Sequence, residues 1–184
     1  MRVNALIIAA AGMIWTTGNI LLAAVAILAF RWQREHLEVV SREGVGAIFG
    51  IGLAAWSGFI SFLLLPLLVA LGLRCGRAWR SRRRVAAVLW LTLMVTTWGI
   101  HAVNHRTTLE ANQQATAIRE LRARPVSEQQ ALPESERRFA ALHHASERWH
   151  GLETVLALGL ALGGCTLLLR RESPGLASPA AEPA

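Results

Sequence analysis

The sequence contains no lysine, no aspartate and no tyrosine, and only two of its 184 residues are cysteine. Cys75 and Cys165 are too few for a disulfide framework, and no Cys-x-x-Cys-His segment is present to attach a c-type haem. Without aspartate there is no usual acid to orient a histidine in a serine triad, and no phosphate-binding loop or nucleophile elbow occurs. The sequence therefore predicts a protein without an evident catalytic site, a non-enzyme in preference to an enzyme.

Charge is also scarce. Charged residues make up 17% of the chain and hydrophobic residues 53%, with a mean hydropathy of +0.38, whereas a soluble domain is about 25% charged. The net charge of +7 would suggest nucleic acid as the partner of a soluble protein. Here the arginines lie at the ends of long uncharged blocks, so the predicted partner is the lipid bilayer and not nucleic acid.

Four uncharged or nearly uncharged blocks predict four membrane spans, at about 5–30, 45–73, 85–103 and 151–170. They are too long for the strands of a membrane barrel, and the first is too long for the core of a cleavable signal peptide. The predicted fold is all-α, a four-transmembrane-helix bundle forming a single domain over 1–172. Residues 173–184 are rich in proline and alanine without periodicity, and are predicted to be disordered.

The connection between the third and fourth blocks has its own helical pattern. A thin apolar stripe continues the third block until Arg124-Pro125, where proline ends a helix, and Pro133-Glu134 suits the start of another. We expect an extramembrane helical hairpin over about 104–150.

Arginine counts predict the orientation. Residues 74–84, between the second and third blocks, include six arginines, against three between the first and second blocks. Since short basic loops stay in the cytoplasm, we expect both termini inside and 101–151 outside, in a bacterial inner membrane. The arginines expected to contact lipid headgroups are Arg77, Arg80, Arg82, Arg83 and Arg84.

All six histidines lie on the predicted outer side. His101 and His105 share one helix face, while His143, Glu147 and His150 share another at a matching depth. Imidazoles from facing helices can bind copper, zinc or haem b, so these five residues form a candidate metal or haem site. The alternative is that they are ordinary interfacial side chains, and the sequence leaves both interpretations open.

Two features concern helix packing inside the bilayer. Asn19 lies in the first span, where an amide needs a hydrogen-bond partner, so we expect it to face the bundle interior. Gly46-x-x-x-Gly50 in the second span is a small-residue pair that favours close helix approach. No charged residue lies deep in a predicted span, which disfavours a transporter.

Two motifs carry a family resemblance. The first span contains Trp-x-x-Gly at 15–18, and the run 139–146 contains Phe-x-x-Leu-His-x-x-Ser. Over about 5–170 the chain resembles uncharacterised bacterial four-helix membrane proteins, a domain of unknown function related to eukaryotic transmembrane protein 205. Four residues after the serine that family has asparagine, where His150 stands here. The resemblance implies a four-helix membrane protein without a settled activity. A looser likeness to copper-resistance membrane proteins favours a metal.

The leading hypothesis is a structural or accessory subunit of a larger inner-membrane complex, with other membrane-protein subunits as partners. The alternative is a metal- or haem-binding membrane protein that handles copper or electrons through the outer histidines. A transporter is the third hypothesis.

Overall fold

The computed structural model describes residues 2–36 and 42–169, without the side chains of residues 42 and 43. In these ranges the chain is helical and contains no strand. Its helices are Arg2–Glu35 (α1), Arg42–Arg80 (α2), Arg84–Arg122 (α3) and Leu132–Leu169 (α4), with a 3₁₀ turn at Val126–Glu128. The prediction of an all-helical chain is confirmed. The predicted disordered tail, 173–184, lies outside the described residues.

Each of the four helices contains a segment long and apolar enough to cross a membrane. The helices have 34 to 39 residues, or about 51–59 Å at 1.5 Å per residue. A hydrocarbon core of about 30 Å therefore covers only part of each helix.

The helices pack as a ring in which α1 contacts α2 and α4, and α3 contacts α2 and α4. We call the end of the bundle that holds the α2–α3 connection the arginine end, and the end that holds the α3–α4 connection the distal end. The apolar core fills the half of the bundle nearer the arginine end. Its largest members are Ile8, Trp15, Ile60, Leu64, Leu67, Leu71 and Leu160.

Glycine allows α1 and α4 to approach closely. A Cβ atom added to Gly164 would lie 2.4 Å from the backbone nitrogen of Ala9, and one added to Gly12 would lie 2.4 Å from that of Ala161. Such small-residue contacts are how membrane helices gain packing energy, because lipid removes most of the hydrophobic drive for association. The sequence indicated the pair Gly46 and Gly50 on α2 instead. A Cβ at Gly46 would meet no described atom within 4 Å, whereas one at Gly50 would lie 2.7 Å from the Oδ1 atom of Asn112 on α3.

The turn at the arginine end is a Schellman motif. Arg82 adopts a left-handed conformation with φ of 57°. Its N–H donates to Trp79 O at 3.0 Å, and the N–H of Arg83 donates to Ala78 O at 2.9 Å. The five arginines predicted to contact headgroups are all exposed around this turn, where a charged surface is available to lipid phosphates.

Candidate functional site

A layer of polar side chains crosses the bundle on the distal side of the apolar core. Every helix contributes, and most members are no more than 5% exposed. We define this polar layer as Asn19 of α1, Ser57 and Ser61 of α2, His101, Asn104 and His105 of α3, and Glu153 of α4. Because buried polar groups are costly unless hydrogen-bonded, the partners of each side chain show how the layer is built.

The centre of the layer is a buried pair between α3 and α4. His101 Nδ1 lies 2.9 Å from Glu153 Oε1, and Asn104 Nδ2 donates to Glu153 Oε2 at 2.8 Å. The three residues are 4%, 3% and 2% exposed. Both carboxylate oxygens therefore have donors, which meets the requirement that a buried carboxylate be paired and hydrogen-bonded.

The other ring nitrogen of His101 faces α2. Nε2 lies 2.9 Å from the Oγ atom of Ser61, and that same Oγ lies 3.1 Å from the backbone oxygen of Ser57. The hydroxyl has one hydrogen, which points either to Nε2 of His101 or to the helix backbone. One imidazole thus joins a serine on α2 to a carboxylate on α4.

A second serine–histidine pair lies one helical turn away. His105 Nδ1 is 2.8 Å from Ser57 Oγ, and the His101 and His105 rings are stacked with centroids 5.9 Å apart. The two serines and the two histidines are each four residues apart on facing helices, so the pairs repeat as a ladder. Within the described residues, His105 makes no hydrogen bond or ion pair with a carboxylate.

Asn19 joins α1 to two neighbouring helices. Its Nδ2 donates to Thr154 Oγ1 at 3.0 Å, and its Oδ1 accepts from Trp56 Nε1 at 2.8 Å. A Cβ atom added to Gly18 would lie 2.0 Å from the Trp56 ring. The glycine of the Trp-x-x-Gly motif thus leaves space for the indole that reaches Asn19. Asn19 itself is 2% exposed and faces the bundle interior.

The predicted metal ligands are divided between two places. His101 and His150 both approach Glu153, with His150 Nδ1 at 3.9 Å from Oε2. His143 and Glu147 pair at 3.3 Å on an exposed face of α4, where both side chains are more than half exposed. In the parts of the chain that the structure describes, no group of three or more His, Cys, Asp or Glu side chains is arranged to hold a metal ion. A copper, zinc or haem site at these residues stays a prediction.

Sequence reasoning missed the most important partner. From the sequence, the absence of aspartate indicated that the usual acid for orienting a histidine is missing, and Glu153 was not singled out. The structure places the Glu153 carboxylate in that position on His101. The available signal was a lone acid in an apolar block, which needs a buried partner in a membrane bundle. Ser61 and Asn104 carried no comparable signal.

Comparison of the chain with protein-family models, with curated proteins and with solved structures finds no match.

Proposed function

We propose that this protein is an integral inner-membrane protein that serves as an accessory subunit, bound to another membrane protein through α1 and α2. The surface concerned, which we call the apolar extension, consists of residues 20–30 of α1 and 45–56 of α2. The observation that carries the proposal is that these segments are apolar and exposed at a level where α3 and α4 are already charged.

The polar layer defines a common level across the four helices. Asn19 bonds Thr154, and Ser57 bonds His105, so these residues lie at similar depth. Distal to this level α1 stays apolar for about 16 Å and α2 for about 18 Å. Over the same height α3 carries Arg106 and Glu110, and α4 carries Glu147 and Arg148. Further charges follow distally on both helices; they are Arg119, Glu120, Arg122, Glu134, Glu136, Arg137 and Arg138.

Large side chains of the apolar extension are uncovered. Ile27 of α1 is 69% exposed, and Ile48 and Ile51 of α2 are each 72% exposed. Between the two helices runs a groove of about 280 Å³ lined by Val25, Ala29, Trp32, Val45, Ile48 and Phe49. An exposed apolar surface of this kind is typical of a lipid or protein contact.

Lipid alone fits this surface poorly. A bilayer that covered the apolar part of every helix would have its surface about 16 Å further out on α1 and α2 than on α3 and α4. Because neighbouring helices are about 8–10 Å apart, the bundle would have to tilt by about 60° from the membrane normal. Membrane helices tilt by about 0–40°. A second apolar protein surface that covers α1 and α2 removes the need for such a tilt. The charged distal halves of α3 and α4 then project from the membrane as the helical hairpin that we propose.

Photo-crosslinking in the native membrane tests the proposal. A photoreactive phenylalanine analogue is placed at Ile27 and, separately, at Ile51, with Leu89 as the control because it is 64% exposed near the arginine end of α3. We expect one and the same membrane protein to be crosslinked from both test positions and not from Leu89. Adducts with lipid alone, or only with further copies of this chain, would contradict an accessory role.

The metal or haem hypothesis remains the second candidate, because His101 and His150 converge on one carboxylate. Metal analysis and an absorption spectrum of the purified protein test it. Stoichiometric copper or zinc supports a metal site, a Soret band supports haem, and a protein with neither supports the accessory role. For the third hypothesis, a transporter, support is weaker: on the arginine side of the polar layer the interior is lined by apolar side chains such as Leu64, Leu67 and Leu71.

Membership of the family related to transmembrane protein 205 is also a proposal. Its support is that the motif residues have packing roles. Gly18 accommodates Trp56, and Ser146 is 6% exposed with its Oγ 3.0 Å from Thr108 Oγ1.

A further inference from the structure

We infer that Ser61 is a nucleophile activated by His101, with Glu153 as the positioning residue, and that it accepts an acyl group from a lipid ester in the leaflet near the distal end. This goes beyond the accessory role. The activation of Ser61 does not depend on that role, whereas the depth of Ser61 in the bilayer rests on the proposed function. The inference rests on the order of the contacts: Ser61 Oγ on Nε2 at 2.9 Å, and the carboxylate on Nδ1 at 2.9 Å.

A serine that is activated by a histidine requires these contacts, with the serine on one ring nitrogen and the acid on the other. Donation from Nδ1–H of His101 to Glu153 fixes the tautomer in which Nε2 accepts a proton. Nε2 can then receive the hydroxyl proton of Ser61 as the oxygen attacks. Such constellations are recognised by geometry and roles on unrelated folds, and glutamate serves as the acid in some of them.

The neighbouring Ser57–His105 pair supplies a comparison within the same molecule. It has the same residue types, a similar N–O distance of 2.8 Å and the same helices. It differs in that His105 uses Nδ1, not Nε2, for the serine, and has no carboxylate among its described hydrogen bonds. The geometry therefore predicts reactivity at Ser61 and not at Ser57.

The surroundings of Ser61 favour a substrate that arrives from the lipid. Ser61 is partly exposed, and the next residue, Phe62, is 75% exposed on the outside of α2. Ser61 lies at the level of His101, just inside the point where α3 becomes polar. With the bilayer surface at the charged part of α3, as the proposed function places it, this level is close to the boundary between acyl chains and headgroups. The ester bonds of lipids lie at this boundary.

Trp15 is the candidate donor to the developing oxyanion. Its side chain is 0% exposed, and its Nε1 has no hydrogen-bond partner among the described residues. Its ring packs edge-on against the His101 ring, with centroids 5.8 Å apart. A buried N–H without an acceptor is costly. Beside the His101 ring such a donor can serve the reaction, because preorganised donors stabilise the charge of a tetrahedral intermediate.

Ser61 Oγ forms a bond to the ester carbonyl carbon while its proton passes to Nε2 of His101. The bond from that carbon to the alkoxide oxygen then breaks, and the alkoxide leaves as an alcohol with the proton from Nε2. Water, or a second alcohol, releases the acyl group from Ser61 by the reverse sequence.

A long-chain alkyl fluorophosphonate tests the inference on the full chain in native membranes. Ser61 Oγ would form a bond to phosphorus as fluoride leaves, with the proton passing to His101. We expect one label per chain, at Ser61 by peptide mass spectrometry. Labelling should be abolished in Ser61→Ala and should remain, at Ser61, in the matched control Ser57→Ala. Absence of label on the wild type, or label retained in Ser61→Ala, would overturn the inference.

The roles of the other residues are tested by rates measured on folded protein. His101→Gln and Glu153→Gln should each lower the labelling rate by at least about 100-fold, and Glu153→Asp should recover part of it. Trp15→Phe should slow labelling without loss of folding. Gel-filtration profile and thermal midpoint establish folding for each variant. A folded Glu153→Gln protein that is labelled at the wild-type rate would show that Glu153 does not position His101 for reaction.

Discussion

The carboxylate of Glu153 lies 2.9 Å from Nδ1 of His101, and the two side chains are only 4% and 6% exposed. This pair connects α3 to α4 at the polar layer, where the interior changes from purely apolar to hydrogen-bonded. A buried pair of this kind is strongly destabilising when only one partner is removed, because the other partner is left without compensation in an apolar surrounding.

Glu153→Ala should therefore lower the free energy of unfolding by about 3–5 kcal/mol. The double variant with His101→Ala should lose less than the sum of the two single losses, with a coupling of about 0.5–3 kcal/mol. Denaturant titration in detergent micelles measures both. Glu147→Ala, on the exposed face of α4, is the control and should change stability by less than about 0.5 kcal/mol. Additive losses at positions 101 and 153 would argue against a direct pair.

Two adjacent glycines on α4 test the contact with α1. Gly164→Ala should destabilise the protein by about 1–3 kcal/mol, because the new Cβ would lie 2.4 Å from the backbone nitrogen of Ala9. Gly163→Ala has no described atom within 4 Å of its Cβ position and should be neutral or slightly stabilising. Thermal midpoints in detergent measure both, and equal effects would show that α1 and α4 are not in close contact.

Asn19 provides the third prediction. Asn19→Ala removes two hydrogen bonds and leaves Trp56 Nε1 without its acceptor, so we expect a loss of about 1–2 kcal/mol. Thr17→Ala, at an exposed position two residues away, should have almost no effect. Unfolding followed by tryptophan fluorescence is the measurement. A loss confined to Thr17→Ala would mean that Asn19 faces lipid.

Orientation is tested by cysteine labelling in intact cells, with Cys75 and Cys165 replaced by alanine. We expect Gln130→Cys to react with a membrane-impermeant thiol reagent, and Arg82→Cys to react only after the cells are opened, because basic loops stay inside. The reverse pattern would place the arginine end outside.

The four helices were predictable because a long uncharged block has few alternatives to a membrane helix, and apolar runs such as 45–73 are unambiguous. The pairing of His101 was not predictable, because helix periodicity shows which residues share a face but not how two faces rotate against each other. His143 and His150 are seven residues apart on one helix, yet only His150 approaches the buried carboxylate. Nothing in the sequence distinguished Gly12 and Gly164 from Gly46 as sites of close helix contact, since the rotation of the helices decides which glycine meets a neighbour.

Native mass spectrometry of the protein released from its own membrane in a mild detergent tests the accessory role most directly. We predict a complex that contains this 20.1 kDa chain together with a different membrane protein. We also predict that Ile27→Ser combined with Ile51→Ser reduces it to the chain alone, while Leu89→Ser leaves it intact. Release of the wild type only as the single chain, or only as copies of itself, would contradict the account.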